Sequence, residues 1–248
     1  MAKTEVSIIL PNFNSSEYLE KTLNSVLSQT YKHWRLIIVD DCSNLKTIQI
    51  LKKYEFHKKI KIYYLKKNMG AGFCRNYAID KAQTEYLAFI DSDDLWLKSK
   101  LSEQIEFMKR KKINFSYTFY ITNKNNKKKK IKTPKVFDYE SFINNTSICT
   151  STMIIKKKIC KNIKFLNISI CEDYFYKCLL LKKNKYAYCL EKYLTQYRIR
   201  KDSLQSNKLK NLYWVWKINS INNKLNFIRN LISILFISIN SIKKYGFK

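Results

Sequence analysis

The chain of 248 residues has little histidine, glycine and proline: 2 His, 3 Gly and 2 Pro. His33 and His57 stand in neither a metal-ligand motif nor a triad motif, which argues against a zinc site and against Ser–His chemistry. A general base in this chain is therefore expected to be a carboxylate.

Paired cysteine motifs and long apolar runs are also missing. Seven cysteines are present, an odd number, and none forms a C-x-x-C pair. This pattern predicts reduced, mostly buried thiols of a cytosolic protein. Only residues 1–5 precede the first expected strand, so we expect no signal peptide. No apolar run is long enough to cross a bilayer.

The charge is strongly one-sided, with 48 Lys and Arg against 19 Asp and Glu and a formal net charge of +29 at pH 7. Hydrophobic residues make up 46% of the chain, which indicates a globular protein. The positive field favours polyanions such as nucleotide diphosphates, anionic lipid surfaces or nucleic acid. A nucleic-acid-binding module would carry basic and aromatic residues on one surface and no organised acidic pocket.

The first half of the chain alternates apolar strands with amphipathic helices. This order predicts an α/β fold, an open and mostly parallel sheet with helices on both faces. Ligands bind at the carboxyl ends of the strands in such sheets. Polar clusters follow three expected strands, at residues 11–14, 40–41 and 91–94.

The most informative stretch is an apolar strand, residues 86–90, that runs into Asp91, Asp93 and Asp94. Clustered carboxylates repel one another unless a cation lies among them, and such oxygen ligands suit Mg²⁺ or Mn²⁺. A divalent ion held by one or two carboxylates can bind a substrate diphosphate. The alternative is an acidic turn that caps the next helix, and this N-cap role is the one expected of Asp94.

Several local structures are expected from pattern alone. Asn14 and Glu17 have the spacing of a capping box. Residues 75–82 are expected to form a helix. Residues 115–121 alternate as in a strand with one wet face. Residues 123–135 are expected to be a basic, solvated loop.

An apolar stripe of helical period ends the chain, and its residues are spaced alternately by four and three. Two interpretations remain open: a basic amphipathic helix lying on anionic lipid, or a helix packed on its own domain or on a second copy. The stripe consists of Trp214, Ile218, Ile221, Leu225, Ile228, Ile232, Leu235, Ile239 and Ile242.

The order of these motifs resembles that of family-2 glycosyltransferases with the GT-A fold. The resemblance covers about the first two-thirds of the chain and rests on residues 6–14, 25–31, 38–43, 68–76, 91–94 and 172–173. Later segments resemble a narrower bacterial branch that builds surface polysaccharides of the teichuronic-acid type; they are residues 115–118, 150–153 and 197–208. Cys42 and Ala78 stand where the family often has glycine.

The resemblance implies roles for donor-binding residues. Asp41 would accept a hydrogen bond from uracil, Pro11 and Phe13 would line the base pocket, and Asp91 would approach the ribose. Arg75 would contact the donor on its diphosphate or ribose side. The alternative is that Arg75 forms a surface ion pair. The full implied donor set is Pro11, Phe13, Asn14, Asp41, Gly70, Arg75, Asp91, Ser92, Arg200, Ser203 and Lys208.

Three of these residues, Arg200, Ser203 and Lys208, would clamp the diphosphate from the opposite side, in a loop that orders on binding. The alternative is a lysine-rich solvated turn.

The resemblance also implies the chemistry. Asp93 would ligate Mg²⁺ or Mn²⁺ bridging the donor diphosphate. Asp173, at a helix N-terminus that keeps it ionised, would be the general base, and Glu172 would position it or the acceptor. The alternative for this pair is a plain N-cap carboxylate. Direct displacement would invert the anomeric centre.

The implied function is transfer of a hexosyl or N-acetylhexosaminyl group from a UDP-sugar to a glycan or lipid-linked glycan hydroxyl. We expect a cytoplasmic protein peripheral at the inner face of the membrane, without a specific nucleic-acid partner. The expected organisation is a nucleotide-sugar half (1–120), an acceptor and catalytic-base half of the same domain (121–210) and a C-terminal amphipathic helix (211–248). Three alternatives remain: a basic module that binds nucleic acid or a membrane surface, a polyprenyl-phosphate glycosyltransferase, and a catalytically silent carbohydrate-binding relative.

Overall fold

The fold is described from a computed structural model that covers residues 4–200 and 207–245. Ten strands of those residues join one sheet. The strands are β1 Val6–Asn12, β2 Trp34–Asp40, β3 Ile60–Tyr64, β4 Tyr86–Phe89, β5 Leu95–Trp96, β6 Phe115–Lys124, β7 Lys127–Ile131, β8 Val136–Phe137, β9 Ile154–Lys156 and β10 Ala187–Arg198.

Helices lie between most of the strands, as the alternation in the sequence predicts. The helices are α1 Leu19–Leu27, α2 Leu45–Lys52, α3 Ala71–Lys81, α4 Lys100–Arg110, α5 Tyr139–Asn144, α6 Glu172–Asn184, α7 Lys208–Ile221 and α8 Phe227–Tyr245.

The sheet has the order β3-β2-β1-β4-β9-β6-β10-β5, with β7 and β8 added beside β6 and β10. β1, β2, β3 and β4 are parallel, whereas β9 runs antiparallel between β4 and β6. β10 is again parallel to β6. The predicted α/β fold is therefore confirmed, and the sheet is continuous across residues 120 and 121, which lie inside β6.

Each face of the sheet carries its own apolar core because the central strands are buried on both sides. In β1, Ile9 packs into the core that includes Tyr176 of α6. Its neighbours Ile8 and Leu10 pack into the opposite core, with Leu23 of α1 and with α4. A strand that is buried on both faces has a nearly continuous run of apolar residues in its sequence, which explains the pattern of residues 6–10.

Three of the local expectations are wrong. The first six residues of β6 are all buried, so neither of its faces is wet there. The segment expected to be a solvated loop contains β7, which pairs antiparallel with β6. Helix α3 begins at Ala71, four residues before the expected start.

The expected capping box at Asn14 and Glu17 is also wrong. Helix α1 begins at Leu19, its N-cap is Tyr18, and no side chain caps it. Asn14 adopts a positive φ of 46°, which asparagine tolerates, and its Oδ1 accepts a hydrogen bond from the backbone N–H of Asn44 at 2.8 Å. Asn14 therefore joins the loops after β1 and β2.

A C-terminal helix is present, but the apolar stripe does not form one continuous helix. It is divided between α7 and α8 by residues 222–226. Among the described residues, no helix combines the length and the apolar content that crossing a membrane requires. All seven cysteines are free thiols and five of them are buried, as predicted.

Candidate active site

The candidate site lies at the carboxyl edge of the parallel strands. Because β1 pairs with both β2 and β4, the residues that follow these three strands converge. Asn12 and Asp40 end neighbouring strands, and the amide of Asn12 donates to Oδ1 of Asp40 at 2.6 Å. The other oxygen of Asp40 accepts from the backbone N–H of Ser43 at 3.0 Å, which fixes the loop after β2.

Asp41 is buried beneath the turn that precedes α3. Its two carboxylate oxygens accept from the backbone N–H groups of Met69 and Gly70 at 2.7 and 2.8 Å. Gly70 has a φ of +88°, a conformation that favours glycine, and Cys42 also has a positive φ, of +64°. Asp41 therefore closes this turn, and its contact with a uracil ring stays a prediction.

The other residues expected around the base lie at the same edge. Pro11 is buried near the end of β1, whereas the ring of Phe13 is 47% exposed and offers an apolar surface beside the strand ends. The carbonyl of Ser92 accepts from the hydroxyl of Thr22 at 3.0 Å. Their roles toward a donor stay predictions.

Arg75 joins the two acidic parts of the site. One terminal nitrogen lies 2.7 Å from Oδ1 of Asp91, and the other lies 2.6 Å from Oε1 of Glu172. Burial lowers the pKa of Arg75, but Asp91 and Glu172 raise it by more, so the guanidinium stays charged. Arg75 is buried, so the interpretation as a surface ion pair is wrong about its location. Its contact with a diphosphate stays a prediction.

Asp173 lies in the first turn of α6, as predicted. Its Oδ2 accepts from the hydroxyl of Thr150 at 2.7 Å and from Nζ of Lys177 at 2.6 Å. Burial raises the pKa of Asp173, but Lys177 and Thr150 lower it by more, to about 2. The side chain remains 18% exposed. An ionised carboxylate is thus held rigidly and is still open to a ligand.

Asp93 belongs to the acidic stretch after β4, and two arginines contact it. Its Oδ2 lies 3.0 Å from Nε of Arg200, and its backbone carbonyl accepts from Nε of Arg198 at 3.1 Å. Burial and the neighbouring Asp91 raise the pKa of Asp93 to about 6. Even with Arg200 beside it, this carboxylate is costly to keep ionised, and a further cation would lower that cost.

Asp94 does not cap a helix, contrary to expectation. Helix α4 begins six residues later and has Ser99 as its N-cap. Asp94 is fully buried, and its Oδ1 accepts from the backbone N–H of Arg198 at 2.9 Å. Its Oδ2 is enclosed with no hydrogen-bond partner at ordinary distance, and the nearby hydroxyl of Ser151 favours the ionised form. Burial and the nearby Asp93 raise the pKa of Asp94 well above its usual value.

The acidic stretch, residues 91–94, fits a divalent cation whose remaining ligands would come from the substrate. Within residues 4–200 and 207–245, no three His, Cys, Asp or Glu side chains gather as a ready-made metal site. Asp93 is 18% exposed and offers a hard oxygen ligand, whereas Asp94, the next residue, is fully buried and is not open to an ion. One or two carboxylates plus diphosphate oxygens is the arrangement typical of Mg²⁺ and Mn²⁺.

The three residues expected to clamp the diphosphate have different positions. The guanidinium of Arg200 lies 5.5 Å from the ring centre of Tyr18 and contacts Asp93. Lys208 is the first residue of α7. Ser203 lies outside the described residues, so the clamp stays a prediction.

Four residues that sequence reasoning did not assign also shape the site: Thr150, Lys177, Arg198 and Gly72. Lys177 had a signal, since it follows Asp173 by four residues on one helix. Gly72 is packed so closely that a Cβ there would overlap the carbonyl of Leu166 and lie 3.2 Å from Cγ of Glu172. Nothing in a single sequence marks such a long-range contact.

The sequence profile described as "Glycosyl transferase family 2" matches residues 7–175. The chain therefore belongs to glycosyl transferase family 2 and is a glycosyltransferase. Among its relatives is TuaG of Bacillus subtilis, a glycosyltransferase assigned to teichuronic acid biosynthesis, which is 37% identical over 98% of each chain. WfgD of Escherichia coli, named as a UDP-Glc:α-D-GlcNAc-diphosphoundecaprenol β-1,3-glucosyltransferase, is 32% identical and covers 98% of this chain and 95% of its own.

Solved structures share the fold. TarS 1-349 of S. aureus in complex with UDP-GlcNAc superposes with a TM-score of 0.75 at 21% identity, over 96% of this chain and 73% of TarS. The mannosyltransferase PcManGT of Pyrobaculum calidifontis, in complex with GDP-Man and Mn²⁺, gives a TM-score of 0.71 at 12% identity, over 99% and 72% of the two chains. At these identities the likeness concerns the fold alone.

Proposed function

We propose that this protein is an inverting, metal-dependent glycosyltransferase that moves a sugar from a UDP-sugar to a hydroxyl of a lipid-linked glycan. In this proposal it works in the cytoplasm, at the inner face of the membrane, in the assembly of a bacterial surface polysaccharide. The names of TuaG and WfgD support the pathway and the acceptor class. The UDP-sugar bound by the fold relative TarS supports the donor.

One observation carries the proposal: the ionised Asp173 is tied to the acidic stretch through a buried chain of contacts. Glu172, its neighbour in α6, pairs with Arg75, and Arg75 pairs with Asp91. A candidate base and the candidate donor carboxylates are therefore fixed relative to each other. Fixed geometry is what transfer between two bound substrates requires.

The chain's own residues divide the work. Asp41 and the turn it closes, together with Phe13, would hold the nucleoside. Asp173 would take the proton from the acceptor hydroxyl as that oxygen attacks the anomeric carbon. Lys177 keeps Asp173 in the ionised form that can take a proton, and the same charge lowers the basicity of that carboxylate.

A divalent cation at Asp93 would supply positive charge that offsets the charge developing on the departing diphosphate. Arg200 now pairs with Asp93. In the proposal it turns toward the donor phosphates when a ligand binds, since a guanidinium matches phosphate oxygens well.

The first experiment is thermal unfolding with UDP, GDP, CDP and dTDP, each with and without Mn²⁺. A ligand that binds only the folded state raises the melting temperature. We expect UDP with Mn²⁺ to stabilise the native chain and Asp93→Asn to lose that response. Asp80→Asn is the matched control, because Asp80 is 62% exposed and pairs with Lys164, which is also exposed. Binding of any polyanion without preference, unaffected by Asp93→Asn, would contradict the proposal.

Turnover provides the second test. Asp173→Asn should retain the response to UDP and Mn²⁺ but lose about 10² to 10⁴-fold in transfer rate, as expected for removal of a general base. The anomeric configuration of the product, read by NMR, should be opposite to that of the donor. Retention of configuration would contradict direct displacement.

A further inference from the structure

Helix α8 has its polarity reversed relative to an ordinary surface helix. Its buried side carries Asn230, Ser233 and Ile237. Its outer side carries seven large apolar residues, which we call the α8 apolar face. These residues are Phe227, Ile228, Leu231, Ile232, Leu235, Phe236 and Ile239, and they are between 39% and 70% exposed.

Hydrogen bonds hold the polar side of α8 against the protein. The amide of Asn219 in α7 donates to Oδ1 of Asn230 and to Oγ of Ser233, both at 3.1 Å. Ser233 in turn donates to the carbonyl of Ile143 at 2.6 Å, and Asn230 donates to Oγ of Ser220 at 2.8 Å. Rotating α8 to bury its apolar residues would leave these buried groups unpaired, so the apolar face stays outward.

A basic cleft lies at the C-terminal end of α8. Five lysines line it, and its volume is about 270 Å³. None of the described residues that line this cleft is a carboxylate. We call it the lysine cleft; its lysines are Lys129, Lys130 and Lys132 from β7 and the residue after it, and Lys243 and Lys244 from α8. Burial lowers the pKa of Lys244 to about 8, and the residue is half-buried at the cleft.

The apolar face and the lysine cleft together fit one kind of partner. An outward apolar stripe with basic residues at its end is typical of a helix that lies in the plane of an anionic membrane surface. Along its described residues α8 is not apolar enough to cross a membrane. A second copy fits poorly, because it would bring two chains of net charge +29 and two lysine clefts together.

The lysine cleft is also close to the candidate base. Ser147 lines the cleft, and Thr150, three residues further on, donates to Asp173. Three residues span at most about 11 Å of backbone. Lipid phosphates in the lysine cleft would therefore lie near the segment that positions the candidate base.

We propose that the α8 apolar face and the lysine cleft form a docking surface for an anionic phospholipid bilayer, with lipid phosphates in the cleft. The inference deepens the proposed function, on which its relevance to a lipid-linked acceptor rests. The docking itself is measurable without turnover, so the two can fail separately.

The test is flotation of the full chain with phosphatidylcholine vesicles that contain, or lack, phosphatidylglycerol. Wild type should float with the anionic vesicles only. Leu231→Ser with Leu235→Ser should weaken binding by on the order of tenfold or more for each leucine. Lys132→Gln with Lys243→Gln should weaken it about fivefold for each lysine.

Matched controls distinguish docking at this surface from non-specific binding to the vesicles. Leu45→Ser with Phe56→Ser removes two side chains that are 79% and 95% exposed elsewhere, and Lys46→Gln with Lys52→Gln removes two exposed charges from α2. Both pairs should bind as wild type does. Thermal unfolding and the response to UDP with Mn²⁺ should be unchanged in all four variants, which shows that the fold and donor site are intact.

Three outcomes would overturn the docking surface. One is wild type that does not float with anionic vesicles. Another is a loss in the control pairs as large as that in the α8 and cleft pairs. The third is a dimer in solution that Leu231→Ser with Leu235→Ser dissociates while vesicle binding persists, since the apolar face would then belong to a second copy.

Discussion

Nζ of Lys177 lies 2.6 Å from Oδ2 of Asp173, one turn further along the same helix. Lys177 is only 4% exposed, so its charge acts on Asp173 with little screening by water. This lysine, together with the hydroxyl of Thr150, explains why the pKa of Asp173 falls to about 2 although the group is buried. The position of Asp173 at a helix N-terminus is confirmed, but a lysine does most of what was expected of the helix dipole.

Replacing Lys177 with Met should move the acid limb of the rate profile to higher pH. The charge that favours ionised Asp173 is lost, whereas the burial that raises its pKa remains. In wild type Asp173 should stay ionised throughout the acidic range in which the fold survives, so the acid limb should reflect Asp93, whereas Lys177→Met should add a loss of activity from protonation of Asp173 at a distinctly higher pH. Lys183→Met, at an exposed position of α6, is the control. Identical profiles for both variants would contradict the role given to Lys177.

The same contact predicts a pH-dependent contribution to stability. A carboxyl whose folded pKa lies below its unfolded value of about 3.9 stabilises the fold above that value and loses the contribution as the pH falls toward 2. For Asp173 this amounts to about 2 kcal/mol at pH 7. Lys177→Met should remove most of it, measured as the free energy of unfolding in urea at pH 7. The deficit should shrink as the pH is lowered through 4.

Arg75→Met should destabilise the protein by about 3–5 kcal/mol, because it leaves buried Glu172 without its cation. The double variant Arg75→Met with Glu172→Gln should recover part of that loss, since the unpaired charge is then gone. Urea unfolding of the single and double variants measures both values. Arg110→Met, at an exposed position, is the control. A cost under about 1 kcal/mol for Arg75→Met would show that water reaches this pair.

Gly70→Ala and Gly72→Ala should fail for different reasons. Gly70 has open space around it but a φ of +88°, so alanine should cost about 1–2 kcal/mol of backbone strain and loosen the turn held by Asp41. Gly72 has no room for a Cβ beside Leu166 and Glu172. Overpacking there should cost about 1–3 kcal/mol and displace Glu172. We expect Gly70→Ala to raise KM for the donor and Gly72→Ala to lower kcat. The reverse pattern would contradict both assignments.

Arg200→Gln should strengthen metal binding and weaken donor binding. Arg200 lies 3.0 Å from the carboxylate that is expected to hold the metal, so the two cations compete for Asp93. Without nucleotide, Mn²⁺ should raise the melting temperature of Arg200→Gln more than that of wild type. With Mn²⁺ present, UDP should bind roughly tenfold more weakly, since a charge-assisted bond to phosphate is lost. Weaker binding of both ligands would instead mean that Arg200 only supports the loop.

The parallel sheet and the polar residues at its edge were predictable because burial on both faces leaves a continuous apolar run, as in residues 6–10. The order of motifs predicted that Asp93 follows a central strand and that Asp173 lies at the start of a helix, and their roles stay predictions. The local polar environment was not predictable. Asp94 resembles a helix cap in sequence, yet its position is decided by the N–H of Arg198, a residue 104 positions away.

Two further expectations, the loop at residues 123–135 and the continuous C-terminal helix, were wrong for the same physical reason. The pattern of side chains in a sequence does not show which backbones pair or which amide side chains become buried. Residues 127–131, rich in lysine, form a strand because the edge of β6 offers backbone hydrogen bonds, and lysines are well suited to an edge strand. The apolar period at the C-terminus runs through the break at residues 222–226. The bonds that Asn219 makes to Asn230 and Ser233 decide which side of α8 is buried.

The position of β9 has a consequence for how this enzyme can be made. This strand of three residues pairs with both β4 and β6, which do not pair with each other. During synthesis on the ribosome, β4 and β6 each have an unpaired backbone edge until residues 154–156 have been made. A nascent chain paused in that interval would offer two apolar strand edges to any neighbour, so we expect truncated products to aggregate and to depend on chaperones.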